Sequence, residues 1–133
     1  MDAQRAVRLV RSKAEAWNIY SDQIGIMGFS AGGHLASTLG THFDYGLKGG
    51  DSIDEYSCRP DFMALVYPVI STTGDFIHQG SKDALLGKNP SEELVHHFSN
   101  ELQVSTTTPP TFLLHTGDAV SYTHLTLPTI CSV

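Results

Sequence analysis

The sequence predicts an α/β fold built on a parallel sheet. Short apolar runs alternate with helical segments in the order helix, strand, helix, strand, helix, strand. Runs of this length favour buried strands, and strands separated by helices favour a parallel sheet covered on both faces. A glycine-bounded serine lies between the first apolar run and the helix that follows it. Three strands are few for this architecture, so at least one sheet edge is expected to be exposed.

Each element in the first half of the chain rests on a local pattern. Residues 2–17 predict an amphipathic helix, because Val7, Val10, Ala14 and Trp17 recur at helical spacing. A polar turn at 18–23 separates this helix from a buried strand at 24–28. The next helix is expected over residues 34–41, with Leu35 and Leu39 four residues apart. Residues 43–60 are glycine-rich, acidic and aperiodic, and predict a surface loop.

The second half repeats the alternation. Residues 62–69 predict a second buried strand that ends at Pro68, and residues 71–90 predict a polar excursion with only a short Leu-Leu turn. Ser91 is a predicted N-cap for a helix that runs to about residue 98. A proline loop at 106–110 leads into a third strand at 111–115, which the sequence Thr116-Gly117-Asp118 closes.

The composition of the 133 residues excludes several classes of protein. Eight Lys and Arg against fourteen Asp and Glu give a net charge of −6, and apolar residues make up 41%. This composition is too apolar for a disordered chain, and no apolar run approaches the roughly 18 residues of a membrane span. The lack of a Lys/Arg cluster argues against a nucleic-acid partner. The first residues lack the apolar core of a secretory signal, and the sequence assigns no compartment.

No metal or cofactor site is predicted. Cys58 and Cys131 are not spaced like metal ligands, so they indicate neither a zinc site nor a disulfide framework. The acidic residues Asp51, Asp54 and Glu55 match no calcium-binding loop, so a solvated loop is the simpler interpretation. Tyr67 and Pro68 could line a pocket, although packing is the default role for both.

One motif carries chemistry. Gly28-Phe29-Ser30-Ala31-Gly32 matches G-x-S-x-G between a predicted strand and a predicted helix, which is the context of a nucleophile elbow. In such a turn Ser30 stands exposed and strained, the N–H of Ala31 faces a developing oxyanion, and Gly28 and Gly32 keep side chains out of the bend. The alternative is a glycine-rich turn with an incidental serine. A phosphate loop would need a lysine after Gly33, and a dinucleotide fingerprint is absent here.

The segment GIMGFSAGGHLAS resembles the nucleophile region of α/β-hydrolase esterases related to acetyl xylan and feruloyl esterases, a group close to prolyl-oligopeptidase-type domains. DAQRAVRLVRSKAEAWNI, RPDFMALVYPVIS and TPPTFLLHTGD resemble neighbouring segments of the same family, in the correct order over residues 2–118. The resemblance implies a partial α/β-hydrolase fold of three parallel strands with flanking helices. It also implies Ser30 as the nucleophile, Ala31 N–H as an oxyanion donor, no cofactor, and an ester substrate, either small or linked to a polysaccharide.

The resemblance places the catalytic acid just after the third strand, in a pattern similar to G-D-D-x-x-V-P. The second acidic position of that pattern is Ala119 here, so Asp118 is the candidate acid. An Asp that caps the turn after Gly117 is the alternative. The family's His-Gly-Gly-Gly-type loop and its catalytic histidine lie outside the matching segments. We therefore expect residues 1–118 to be the central to C-terminal part of the domain.

Residues 119–133 do not resemble the family and read like translated adapter or frame-shifted sequence, so we expect this tail to be an artefact. No histidine is predicted as the general base. His34 is expected to pack or to contact solvent, and His124 lies in the tail. The other histidines are His42, His78, His96, His97 and His115.

The expected activity of the parent protein is hydrolysis of carboxylic esters, with acyl groups on carbohydrate as the substrate class, and this chain alone is expected to turn over little or no substrate. A parent that acts on polysaccharide would be secreted or periplasmic. A prolyl-oligopeptidase-type serine peptidase and a non-enzymatic truncated fragment are the alternatives.

Overall fold

Three parallel strands form one sheet in the order β1-β2-β3. The structure is a computed structural model that describes residues 2–75 and 77–115. Gly25 of β1 pairs with Phe62 of β2, and Met63 of β2 pairs with Thr111 of β3. The elements in chain order are α1 (Asp2–Ser12), β1 (Gly25–Phe29), α2 (Ala31–Thr41), β2 (Phe62–Val66), α3 (Gln79–Leu86), α4 (Glu92–His97), a 3₁₀ turn (Asn100–Leu102) and β3 (Thr111–Leu114).

Helix α2 packs on β1 and β2 and forms the centre of the core. One cluster of buried side chains joins Val7 of α1 to Leu39 of α2. A second joins Ala36 of α2 to Met63 and Leu65 of β2. Both clusters lie on the same face of the sheet, because Ile26 of β1 packs against each of them. The core therefore fixes α2 against the two strands that flank its N-terminus.

The opposite face of the sheet is apolar and exposed. Its large side chains have 42–63% of their surface exposed, and they are Met27, Phe29, Phe62, Phe112 and Leu114. The prediction of a sheet covered on both faces is therefore wrong for the part of the chain that the structure describes. Short apolar strands indicate that both faces of the sheet need to be covered, but the pattern does not show which segments of the protein cover them.

Arginines of α1 fasten the long loop over residues 43–61. Arg8 is almost fully buried and bonds both carboxylate oxygens of Asp44 at 2.5 and 2.6 Å. The other ion pairs are Arg5 with Asp51 and Asp54, and Arg11 with Asp61. The predicted loop is confirmed, but two of the three acidic residues that we interpreted as solvated are ion-paired. The guanidinium of Arg5 holds the pKa of Asp51 well below its ordinary value.

Three element boundaries differ from the prediction by three residues or more. Helix α1 ends at Ser12 rather than at Trp17. The Ser12 hydroxyl donates to Leu9 O at 2.8 Å and so competes with the backbone N–H groups for a helical carbonyl. Strand β2 ends at Val66, since Tyr67 takes a φ of 36° and turns the chain. Helix α2 begins at Ala31, three residues earlier than expected.

Helix α3 was missed in the sequence. Its N-cap is His78, whose Nδ1 accepts from Ser81 N at 3.1 Å, and histidine is not a usual N-cap residue. Gly87 with a φ of 81° ends the helix, and that glycine was the available signal. The predicted cap at Ser91 is confirmed, because its hydroxyl accepts from Leu94 N.

A buried polar network docks the 3₁₀ turn onto α2. The Asn100 side chain is 2% exposed overall and donates to Ser37 Oγ at 2.7 Å and to Thr38 Oγ1 at 3.0 Å. Its amide oxygen accepts from the Thr41 hydroxyl and lies 3.3 Å from Thr38 Oγ1. Buried polar groups of this kind hold their neighbours in one arrangement, since each lost bond leaves a desolvated group unpaired.

Candidate active site

Ser30 occupies the sharp turn between β1 and α2, at the carboxyl end of the strand. Its φ of 49° and ψ of −119° place a non-glycine residue in a strained region, and its side chain is exposed. The backbone around it enforces this conformation. Ser30 N donates to Val66 O at 3.2 Å, and Ser30 O accepts from His34 N at 3.2 Å and from Val69 N at 3.0 Å. The turn is thus held by β2, by the loop after β2, and by α2.

Gly28 is sterically required at this turn. A Cβ added there would lie 2.1 Å from Gly32 O and 2.7 Å from Gly33 N, well below any allowed contact. The close approach of β1 to the first turn of α2 therefore depends on the missing side chain.

The reason we gave for Gly32 is wrong. A Cβ at Gly32 would have no atom of the described residues within 4 Å. Gly33 is the second restricted position, because a Cβ there would lie 2.5 Å from Pro68 Cβ and 2.9 Å from Pro68 Cα. Local sequence could not distinguish the two glycines, since Pro68 reaches the elbow from the loop after β2. Pro68 is buried and packs at the elbow.

The N-terminus of α2 is placed to stabilise a negative charge next to Ser30. Ala31 is the first residue of this 11-residue helix. The first N–H groups of a helix have no intrahelical acceptor, and the aligned peptide dipoles make that end positive. The Ser30 hydroxyl makes no capping hydrogen bond to these N–H groups. A carbonyl oxygen that approaches Ser30 could therefore accept from Ala31 N–H.

His34 follows the elbow by one helical turn but does not face Ser30. It is 7% exposed, so it packs rather than contacting solvent, and its Nε2 lies 2.9 Å from Phe98 O. Its Nδ1 lies 3.4 Å from Thr38 Oγ1. Burial lowers the pKa of the imidazole below 6.5, so the ring is neutral and donates from Nε2 to the Phe98 carbonyl. Both ring nitrogens are thus engaged away from the hydroxyl.

Within residues 2–75 and 77–115, no hydrogen bond joins the Ser30 hydroxyl to a histidine. The candidate acid Asp118, its neighbour Ala119 and His124 lie outside the described residues. The structure therefore describes the positions of Ser30 and Ala31, while their catalytic roles, like the acid and base positions, stay predictions.

Aromatic side chains stand beside the elbow. The rings of Phe29 and Tyr67 lie 5.8 Å apart at an angle of 56°, and both are about half exposed. Tyr67 N donates to Leu114 O at 2.7 Å, and this hydrogen bond joins the turn at the end of β2 to the end of β3. The carboxyl ends of all three strands thus meet near Ser30, where open parallel sheets place their sites.

Two cavities near α3 were not predicted. A cavity of about 70 Å³ is lined by residues that include Ala31, Val69 and Leu85. A wider groove of about 690 Å³ runs between α3 and α4 and is lined mostly by polar side chains, among them Gln79 and Glu92. Lys82 lines both. Helix α3, which forms one wall of each, was the element that the sequence did not reveal.

The described residues offer no metal site, because no group of three or more His, Cys, Asp or Glu side chains comes together among them. Cys58 is fully buried, and burial raises the pKa of its thiol. In the same part of the chain, none of the helices has the length and apolar character needed to cross a bilayer.

Residues 1–124 match a known family model, BD-FAE. The strained serine at the strand–helix turn and the positive helix end beside it are consistent with this match. The chain belongs to the BD-FAE family of esterases. It is 44% identical over 117 residues to endo-1,4-beta-xylanase B of Butyrivibrio fibrisolvens, and 37% identical over 120 residues to an acetylxylan esterase of Xylanibacter ruminicola. Both alignments cover 88% of this chain, but only 18% and 23% of those proteins.

Solved structures with the same fold agree with this membership. An acetyl ester-xyloside bifunctional hydrolase from Caldicellulosiruptor lactoaceticus superposes with a TM-score of 0.81 at 56% identity, over 84% of this chain and 41% of that one. A truncated carbohydrate esterase from gut microbiota gives a TM-score of 0.65 at 25% identity, over 84% and 46% of the two chains. The predicted esterase family and the partial α/β-hydrolase fold are confirmed.

Proposed function

We propose that this BD-FAE chain carries the nucleophile of a serine esterase that removes acyl groups from carbohydrate. The observation that supports this most directly is the backbone of Ser30, which is held in a strained turn by three hydrogen bonds while its side chain stays exposed. Strain of this kind persists only where the surroundings enforce it, and it is concentrated at functional sites.

In the proposed reaction, Ser30 Oγ adds to the ester carbonyl carbon and its proton passes to a general base. The carbonyl oxygen becomes an oxyanion that accepts from Ala31 N–H, next to the positive end of α2. The bond to the sugar oxygen then breaks, and that oxygen takes the proton. Water attacks the acyl-serine in the same way and releases the carboxylic acid and free Ser30.

Asp118 is our proposed acid, and a histidine downstream of it is the proposed base. Asp118 follows β3 by four residues, and β3 ends at the same edge of the sheet as the elbow. A neutral imidazole is the usual proton acceptor for a serine nucleophile. His34 is excluded from this role because Phe98 O and Thr38 Oγ1 engage its ring.

A carbohydrate leaving group is supported by the groove between α3 and α4. Its volume of about 690 Å³ is in the range of small-molecule sites, and Gln79, Asn89 and Glu92 offer donors and acceptors for hydroxyl groups. The relatives are a xylanase, an acetylxylan esterase and an acetyl ester-xyloside hydrolase. These names support esters of a plant polysaccharide and give no support to the peptidase alternative.

The test compares the chain with its Ser30→Ala variant on 4-nitrophenyl acetate, with and without added imidazole. Because no histidine of the described residues contacts the Ser30 hydroxyl, we expect slow hydrolysis, since loss of a triad base costs several orders of magnitude in rate. Imidazole should accelerate the hydrolysis by the wild-type chain beyond the rate that imidazole gives with the variant. Ser52→Ala is the matched control, since Ser52 is an exposed loop serine.

Equal rates for the wild type and Ser30→Ala, with imidazole present, would refute the proposed role of Ser30. Faster cleavage of a proline 4-nitroanilide than of the acetate would instead favour the peptidase.

A further inference from the structure

Two of the residues that line the small cavity beside the elbow are connected to Ser30. Ala31 follows Ser30 in the chain, and Val69 N donates to Ser30 O at 3.0 Å. Leu85 of α3 lines it as well. A group bonded to the carbon that Ser30 attacks, with its oxygen near Ala31 N–H, would therefore lie within reach of this cavity.

Three of the four polar side chains that line the cavity have partners elsewhere, and the fourth, Lys82, also lines the groove. The Thr72 hydroxyl donates to Val95 O at 2.7 Å, and the Ser81 hydroxyl lies 2.8 Å from His78 Nδ1. The His34 ring is engaged by Phe98 O, as described above. Because these three groups are satisfied and the other walls include Ala31, Val69 and Leu85, the cavity favours an apolar group as its occupant.

The cavity is also small. Its volume is about 70 Å³, whereas an engineered apolar cavity of about 150 Å³ accommodates benzene. The methyl group and carbonyl carbon of an acetyl ester fit into roughly half the space of a benzene ring. An aromatic acyl group or a chain of six carbons does not fit without movement of a wall.

We propose that this cavity is the acyl site, and that Leu85 is a specificity-determining residue which limits the esters accepted to acetyl-sized ones. The assignment rests on the proposed function, in which Ser30 is the nucleophile. Leu85 is the wall best suited to variation, because it is 49% exposed and its replacement disturbs no core cluster. The charged side chain of Lys82 lines both cavity and groove, and so marks where the acyl group would meet the sugar.

The first experiment measures the rate of Ser30 acylation by 4-nitrophenyl acetate and hexanoate, using intact mass. We expect the wild type to prefer acetate by at least about tenfold, which is the discrimination that added methylenes produce in a tight apolar pocket. Leu85→Ala should bring the two rates within about threefold of each other. Leu47→Ala is the matched control, because Leu47 is equally exposed at 49% and lies in the loop over residues 43–60, so it should keep the wild-type preference. An equal preference in the wild type and Leu85→Ala would overturn the proposal.

The second experiment does not need the nucleophile. The Ser30→Ala variant is titrated with methyl acetate and with methyl benzoate while the methyl NMR signals of Ala31, Val69 and Leu85 are followed. We expect only methyl acetate to shift them, and Leu85→Ala to admit methyl benzoate as well. Unshifted signals with methyl acetate would overturn the acyl site even if Ser30 reacts. Selective binding without acylation of wild-type Ser30 would instead refute the proposed function and leave the size limit of the cavity supported.

Discussion

Replacing Gly28 with alanine should destabilise the fold strongly, while the same change at Gly32 should not. The new Cβ at position 28 would lie 2.1 Å from Gly32 O, which is 0.9 Å short of the 3.0 Å that real contacts reach. The clash involves backbone atoms, so β1 and α2 must move apart. Overpacking of this kind costs about 3 kcal/mol.

At Gly32 a Cβ meets no described atom, and the residue lies in the first turn of α2. Alanine there should stabilise the helix by about 0.5–1 kcal/mol, because glycine loses more backbone entropy on folding. The two variants should thus differ by about 4 kcal/mol in free energy of unfolding. For a domain of this size that corresponds to a difference of roughly 15 °C in Tm.

The assay is thermal unfolding of the three proteins followed by circular dichroism at one pH and protein concentration. Gly32→Ala is the matched control, because it makes the same chemical change four residues away. If both variants melt within about 2 °C of the wild type, β1 and α2 do not approach as described. The steric account of the elbow would then be refuted.

Three further predictions concern the arginine face, the buried amide and the buried imidazole. Arg8→Ala should cost about 2–4 kcal/mol in urea unfolding, because it leaves a partly buried carboxylate without its cation, whereas exposed Arg5→Ala should barely move the midpoint. Asn100→Ala should cost about 2–4 kcal/mol, since Ser37 and Thr38 lose a buried partner; a loss under about 0.5 kcal/mol would contradict the network. The pKa of folded His34 is lowered by burial, so the unfolded chain binds more protons below pH 6.5 and stability should fall as the pH drops through that value. His34→Gln, whose amide can still donate to Phe98 O, should lose less stability between pH 7.5 and 5.5 than the wild type, and an equal loss would assign the effect to other groups.

The elbow was predictable from sequence because all of its signals are local. The motif, the apolar run before it and the helical spacing after it lie within residues 24–41, and the structure places Ser30 at the predicted turn. Family resemblance then supplied the fold, because strand order and sheet closure depend on segments far apart in the chain.

What the sequence did not reveal depends on contacts between distant residues. Gly33 is constrained by Pro68, and His34 is buried by Phe98, so neither property is visible within the motif itself. Helix α3 begins at an unusual histidine cap and contains Gly80, and both weaken its sequence pattern. The cavity and the groove were missed for the same reason, since α3 forms a wall of each.

The most direct test of Ser30 as the nucleophile is the intact mass of the chain after incubation with 4-nitrophenyl acetate, followed by peptide mapping. No histidine of the described residues hydrogen-bonds to Ser30, so we expect this activated ester to acylate Ser30 and the acyl group to leave slowly, and the acyl-enzyme then accumulates. We predict one acetyl group, on the peptide that contains Ser30, and none on that peptide in Ser30→Ala. Acetyl groups found only on lysines, with Ser30 unmodified, would contradict the account.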